Sequence, residues 1–343
     1  MVKYEYVETF GSAVQKHSER LVVSEPSGEG GQRTKRQVPA LHLDHLLIGS
    51  RGVSISSDAL ELCCERGIPV TIVDRRGKPV GKFTAPAIHG TSRTRRAQIR
   101  AYENGLGVTF ARSVVIGKAA NQAINLKYFA KNRRERSPDQ YETLRKSAEA
   151  IDRVARRAKK ISANCIDEVR QPLMVLEAEA SRIYWSSLSA LYGSSSGFVH
   201  REQRGTKNPV NAALNYAYGV LTGEVWTACL LAGLEPYAGF LHADRPGRLS
   251  FVLDLIEEFR PVVADRVVFA LAAKGWRIEQ EENGWLSLAS KNKLLASLAE
   301  RLDSPEPDRG RRRKLRNVIQ RQAYAAAQHF LGNETYVPYK QRW

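Results

Sequence analysis

The chain is poor in acids, in sulfur and in long apolar runs. Its 343 residues carry 36 Asp+Glu against 53 Lys+Arg, a formal net charge of +17. That deficit excludes an acidic solvating tail and a carboxylate-rich cation buffer. Four cysteines, Cys63, Cys64, Cys165 and Cys229, are too few for a disulfide framework. Adjacent Cys63 and Cys64 cannot form a CxxC zinc half-site, and no second pair exists. They read as buried or half-buried thiols in a reducing compartment. No apolar run approaches the ~18 residues that a spanning helix needs, so no membrane segment is expected. Met1 to Tyr6 shows no basic stretch leading into an apolar one, so no secretory signal is read. The expected location is the cytoplasm.

What is present is an apolar content of 43%, enough for a sizeable core, in a chain long enough for two domains. A soluble protein this basic is attracted to a polyanion, and in the cytoplasm nucleic acid is favoured over a membrane surface. Residues 1–90 read as β-rich. Short β-prone runs occur at Tyr4 to Val7 and Leu21 to Val23, with a Gly/Ser/Pro-rich loop over Ser24 to Arg36. Leu41, Leu43, His45 and Leu47 alternate as a strand. Ser56-Ser57-Asp58 opens a short helix over Ala59 to Arg66. Ile68 to Val73, a turn at Asp74-Arg75-Arg76-Gly77, and Val80 to Phe83 read as a hairpin.

Residues 91–343 carry helical periodicity. Helices are expected over Ala97–Lys131, Ser137–Lys160, Leu173–Tyr192, Pro209–Ala232, Phe251–Lys274, Ser290–Leu302 and Arg311–Leu331, with a loop over Asp303–Gly310. Gly193 to Gly197 is expected to break the third of these. The fold class is therefore α+β, a small β-rich domain followed by a larger all-α one. Two segments concentrate the charge. Lys127 to Lys160 holds twelve Lys/Arg against five Asp/Glu, and Arg309 to Arg321 holds seven with no acid, each net +7. Such faces neutralise phosphates, but they do not read sequence.

Chemistry on phosphodiesters usually needs a divalent metal, and the metal needs carboxylates, sometimes with histidine. Acids inside apolar helices are the place to look, because charges avoid such sites unless partnered. Glu177 lies at the edge of the stripe formed by Leu173, Leu176, Ala180, Ile183 and Tyr184. Glu179 lies further round, with Arg182 at i+3 as a ready partner. His242 follows the apolar Gly239-Phe240-Leu241 and precedes a turn. Asp254 and Glu257, at i and i+3, share one face of an apolar helix. One Glu, one His and an acidic pair suit Mg²⁺ or Mn²⁺ held open for phosphate oxygens.

At these residues the sequence resembles the CRISPR-associated integrase/endonuclease family, the first protein of the CRISPR adaptation, or spacer-acquisition, module of antiviral defence. The resemblance covers nearly the whole chain. It rests on Ile48-Gly49-Ser50-Arg51-Gly52-Val53-Ser54-Ile55-Ser56 through Gly67-Ile68-Pro69-Val70, and on Lys118-Ala119-Ala120-Asn121-Gln122, similar to the family's K-x-x-N-Q helix. It continues through the Glu177 helix to Tyr184, Asn208-Pro209-Val210-Asn211 to Tyr218, Ala232 to Pro236, and Gly239 to His242. Asp254-Leu255-Ile256-Glu257-Glu258-Phe259-Arg260-Pro261 is close to the family's D-L-x-E-x-F-R-P, and Tyr336-Val337-Pro338-Tyr339 with Arg342-Trp343 also fits.

The resemblance implies Glu177, His242 and Glu257 as ligands of Mg²⁺ or Mn²⁺, with Asp254 a further acidic catalytic residue beside the metal. The chain departs from the family at Ala178, where glycine is usual, which sets Glu177 against Glu179. The seven residues from acid to Tyr184 fit Glu177. It also implies a β-sandwich-like N-terminal domain over 1–90 that dimerises, and a helical catalytic and DNA-binding domain over 91–343. The partners implied are double-stranded and branched DNA, a second copy of the chain, and a small ferredoxin-like second adaptation protein. The expected activity joins the 3′-hydroxyl of short DNA fragments to the edge of a CRISPR repeat by transesterification, with hydrolysis when water replaces the hydroxyl. Arg182, Arg245 and Arg248 are candidate DNA contacts. The alternatives are a non-catalytic DNA-binding scaffold, a transposon-type integrase and a branched-DNA repair nuclease. An added C-terminal DNA-binding domain, frequent in transposon integrases, is not expected here.

Overall fold

A computed structural model of the protein describes residues 4–27, 32–74, 77–85, 92–202 and 206–342, apart from the side chain of Asn132. The expected boundary between residues 90 and 91, Arg75 and Arg76 of the expected turn, and Trp343 lie outside those residues. The chain divides into two compact units, residues 1–88 with 218–223, and residues 89–217 with 224–343.

The first unit is β-rich. Its elements are β1 (Tyr4–Val7), β2 (Ala13–His17), β3 (Arg20–Pro26), β4 (Arg33–Pro39), β5 (His45–Ile48), β6 (Ser54–Ile55), α1 (Ser57–Glu65), β7 (Val70–Val73) and β8 (Pro79–Phe83). They form two four-stranded sheets, ordered β1-β5-β7-β8 and β4-β3-β2-β6. Val7, Leu46, Ile48 and Val70 of one sheet share a core with Val14, Leu21, Val23 and Val38 of the other, and α1 adds Ala59 and Leu62. Ser56 caps α1, its Oγ accepting from the Ala59 amide at 3.3 Å. The hairpin expected at Ile68 to Phe83 forms as antiparallel β7 and β8.

The alternating strand expected over Leu41 to Leu47 does not form. Ala40–His42 is a 3₁₀ turn, and Leu41 is 86% exposed. β5 pairs in parallel with both β1 and β7, and all four of its residues are buried. A central parallel strand is covered on both faces and loses the period-2 signal.

The second unit is helical: α2 (Ser92–Ala101), α3 (Gly105–Ala130), α4 (Pro138–Lys159), α5 (Arg170–Ser196), α6 (Pro209–Leu231), α7 (Ser250–Ile256), α8 (Arg266–Ala273), α9 (Leu288–Asp303), β9 (Pro305–Asp308), β10 (Arg311–Lys314) and α10 (Leu315–Phe330). Among the described residues no helix is long and apolar enough to cross a membrane. α3 is buried on nearly every side, so it carries no amphipathic stripe, and its buried positions include the polar Lys118, Asn121, Gln122 and Asn125. Its Phe110 packs against Phe251, Phe330 and Tyr336 with centroids 4.9–5.2 Å apart, joining α3, α7 and α10.

Four expected helix boundaries move. The single helix over Ala97–Lys131 is α2 and α3, divided where Asn104 caps α3 by accepting from the Leu106 amide at 2.9 Å. α5 continues through Gly193 and stops at Gly197, whose φ of +67° suits glycine. The expected helix over Phe251–Lys274 breaks after Ile256 and resumes through a π-helical turn at Pro261–Asp265. Pro261 has no amide hydrogen to continue the ladder. Arg311–Lys314 is a strand, not a helix, and pairs antiparallel with Pro305–Asp308 across a turn in which Arg309 and Gly310 both have positive φ.

Leu46 is fully buried where the two sheets and α1 meet. Leu46→Ala is expected to lower the unfolding free energy by about 3 kcal/mol, read as a fall in the urea midpoint.

Candidate functional site

Asp254 sits in the last turn of α7 and is wholly buried. Its carboxylate accepts from the amides of Phe240 (2.6 Å), Leu241 (3.1 Å) and His242 (2.8 Å), and lies 2.7 Å from His242 Nδ1. Four donors on one carboxylate fold the 239–242 loop around it. Gly239 is needed there, because a Cβ would stand 2.5 Å from the His242 carbonyl oxygen. A carboxylate facing Nδ1 keeps the proton on that nitrogen, so the Nε2 lone pair is left to ligate.

Glu257 follows at the C-cap of α7, and its carboxylate is buried. Its Oε1 lies 3.0 Å from an Arg260 nitrogen, and its Oε2 lies 2.5 Å from Lys118 Nζ. Burial pushes the Glu257 carboxyl up, but Arg260, Lys118 and His242 outweigh it and hold it at about 2. Lys118 shows the reverse balance. Burial pushes the ammonium down, and Glu257 and Glu177 raise it above its ordinary value. Glu177 comes from α5, where its Oε1 accepts from Ser181 Oγ at 2.9 Å and from Lys118 Nζ.

The structure thus gathers Glu177 and Glu257 on one ammonium, places His242 near enough for its charge to act on Glu257, and holds His242 through Asp254. Asp254 and Glu257 do not serve a common face as their spacing predicts. Helix α7 ends between them, and each carboxylate turns to a different set of donors. Glu179 pairs with Arg157 of α4 at 2.7 Å, not with Arg182. Arg182 and Arg245 are exposed, Arg248 is half-buried, and among the described residues none of the three is held in an ion pair.

Lys118 and Arg260 belong to motifs that sequence reading quoted without a chemical role. The signal available was a lysine following the apolar Val114-Val115-Ile116 run of a helix. Other residues of the two motifs are explained by position. Asn121 donates to the Glu258 (2.7 Å) and Tyr339 (2.9 Å) carbonyl oxygens and accepts from the Gln341 amide. Gln122 donates to Ser181 Oγ at 3.2 Å, tying α3 to the helix of Glu177. The buried carboxylate of Glu258 accepts from the Tyr336 hydroxyl and the Tyr339 amide, both at 2.7 Å. Burial nevertheless raises Glu258 to about 8. Residues 336–341 therefore strap α3 to the turn that carries Glu257.

As the side chains stand, no three of His, Cys, Asp or Glu close around one point among the described residues. The donor set still fits a hard divalent ion: two carboxylates drawn to one cation and an imidazole already set to offer Nε2.

The Arg309–Arg321 segment is partly paired with acids just upstream. Arg316 and Lys314 pair with Asp303 at 2.9 and 3.6 Å, and Arg313 and Arg321 pair with Asp308. In and around α4, Lys127 pairs with Asp152 and Arg145 with Glu149. There, a cleft of about 520 Å³ is lined by Lys127, Ala130, Lys131, Arg134, Tyr141, Arg145 and Glu149.

The chain is similar to known proteins in sequence and in fold. The family described as CRISPR associated protein Cas1 matches residues 5–300. A "CRISPR-associated endonuclease Cas1 1" from Archaeoglobus fulgidus is 35% identical, over 98% of this chain and 99% of that protein. Among solved structures, a casposase bound to integration product superposes with a TM-score of 0.81 at 19% identity, covering 98% of this chain and 92% of the other. A chain of a Cas6-RT-Cas1–Cas2 complex gives 0.75 at 18% identity, covering 99% of this chain and 36% of that one.

Tyr336→Phe removes one donor from the buried Glu258. The expected loss of stability is about 1–3 kcal/mol, measured by chemical denaturation, with a wild-type midpoint the result that contradicts it.

Proposed function

This chain belongs to the Cas1 family, and we propose that it is a metal-dependent DNA integrase and endonuclease of CRISPR spacer acquisition. The observation that carries this reading is the His242–Asp254 pair beside the two glutamates on Lys118. Glu177, His242 and Glu257 would hold Mg²⁺ or Mn²⁺. When bound, that ion supplies Lewis acidity at the phosphate and a template for in-line displacement. The reaction is attack by the 3′-hydroxyl of a captured fragment on a phosphodiester at the repeat edge. One P–O bond forms and one breaks, and the displaced 3′-oxygen takes a proton. Water as nucleophile gives endonuclease cleavage.

The protein's own groups prepare this chemistry. Asp254 keeps the proton on Nδ1 of His242 and fixes the ring. Arg260 anchors one oxygen of Glu257. Arg182, Arg245 and Arg248, in no ion pair among the described residues, are the candidate contacts for phosphate oxygens, and the cleft beside α4 adds further basic side chains. Double-stranded and branched DNA is the substrate class. A homodimer formed through the β-rich unit, and assembly with a small ferredoxin-like second adaptation protein, complete the reading. The Cas1–Cas2 complex of the same fold supports the latter. A cytoplasmic location accords with this action on DNA.

The test is half-site integration of a labelled fragment into a repeat-bearing plasmid. Wild type is expected to integrate, and EDTA, Glu177→Ala or His242→Ala to abolish the product. Equal activity of both variants would overturn the catalytic assignment of these residues, and no product from wild type would leave a DNA-binding scaffold. Cleavage of branched DNA with no preference for the repeat would indicate a repair nuclease. Asp254→Asn is expected to weaken Mn²⁺ binding about 10–100-fold, measured by calorimetry, and unchanged binding would contradict the role given to Asp254.

A further inference from the structure

The ammonium of Lys118 touches an oxygen of each candidate carboxylate ligand, Oε1 of Glu177 and Oε2 of Glu257. The lysine side chain is only 11% exposed and comes from α3, which is packed between other elements of its unit. With Arg260 on the other oxygen of Glu257, the cluster holds two acids and two bases, and its net charge is zero. The oxygens that a divalent ion needs are therefore already engaged by an internal cation. An ion entering while Lys118 stays in place would meet a neutral cluster and a like charge at close range. In a poorly screened site that repulsion is large. If Lys118 withdraws, both carboxylates are returned to the ion.

We propose that Lys118 is a built-in counter-cation that competes with the divalent metal for Glu177 and Glu257 and so sets the metal affinity of the site. The proposal rests on the reading of Glu177, His242 and Glu257 as metal ligands. It differs from a purely structural role for Lys118 in the sign of its effect. A lysine that only braces the two glutamates lowers metal affinity when removed. A lysine that competes raises it.

The experiment is calorimetric titration of Mn²⁺ into the full chain without DNA, for wild type, Lys118→Gln, Lys118→Met, Lys118→Arg and Glu177→Gln. Lys118→Gln is expected to bind Mn²⁺ about tenfold more tightly than wild type, the factor that ~1.4 kcal/mol represents. Lys118→Met, of similar length, repeats the test should glutamine disturb the fold. Lys118→Arg keeps the charge and is expected to bind no more tightly than wild type. Without metal, Lys118→Gln is expected to melt below wild type, since two carboxylates lose their shared partner. Added Mn²⁺ should then raise its melting temperature more than that of wild type. Equal or weaker Mn²⁺ binding by both neutral variants overturns the proposal. Failure of the underlying reading looks different: wild type itself shows no Mn²⁺ binding, or Glu177→Gln binds as wild type does.

Discussion

Three carboxylates within five residues, Asp254, Glu257 and Glu258, are buried where α7 ends, and much of the second unit is arranged to satisfy them. A buried carboxylate is tolerated only with partners. None of the three shares its partners with another. Asp254 draws in three amides and the imidazole of the 239–242 loop. Glu257 takes Lys118 from α3 and Arg260 from the following turn. Glu258 takes the Tyr336 hydroxyl and the Tyr339 amide. The break in the helix lets neighbouring acids face different ways. A continuous helix would stack Asp254 and Glu258 over one another.

The same constraint explains why so many quoted motifs lie far apart in sequence and close in space. Lys118 and Asn121 sit one turn apart on α3. One meets the candidate ligands, and the other holds the strap over residues 336–341. Gln122 reaches the serine that hydrogen-bonds Glu177. A segment without regular secondary structure thereby becomes part of the core. Its backbone groups are satisfied by the side chains of Asn121, Gln322 and Glu258 instead of by a helix or sheet ladder.

Charge illustrates the limit of reading along the chain. The run from Arg309 to Arg321 contains no acid, but Asp303, Glu306 and Asp308 lie immediately before it. A two-residue turn folds the acidic strand back onto the basic one, and Asp303 and Asp308 take up Arg313, Lys314, Arg316 and Arg321. The opposite holds beside His242. Arg245 and Arg248 are inconspicuous in a net-charge count, yet no ion pair among the described residues claims them.

Composition, periodicity and motif spacing alone determined the class of fold, a β-rich region followed by helices, and drew attention to the acids and the histidine. These properties are local, because a burial pattern repeats every two or every 3.6 residues and a buried acid stands out among apolar neighbours. The tertiary structure decided which groups meet. It ended a helix between Asp254 and Glu257, gave Glu179 to Arg157, folded a basic run back onto its acidic neighbour, and set Lys118 between two glutamates 59 and 139 residues further along. Such pairings depend on how helices and loops distant in sequence pack. No spacing along the chain encodes that.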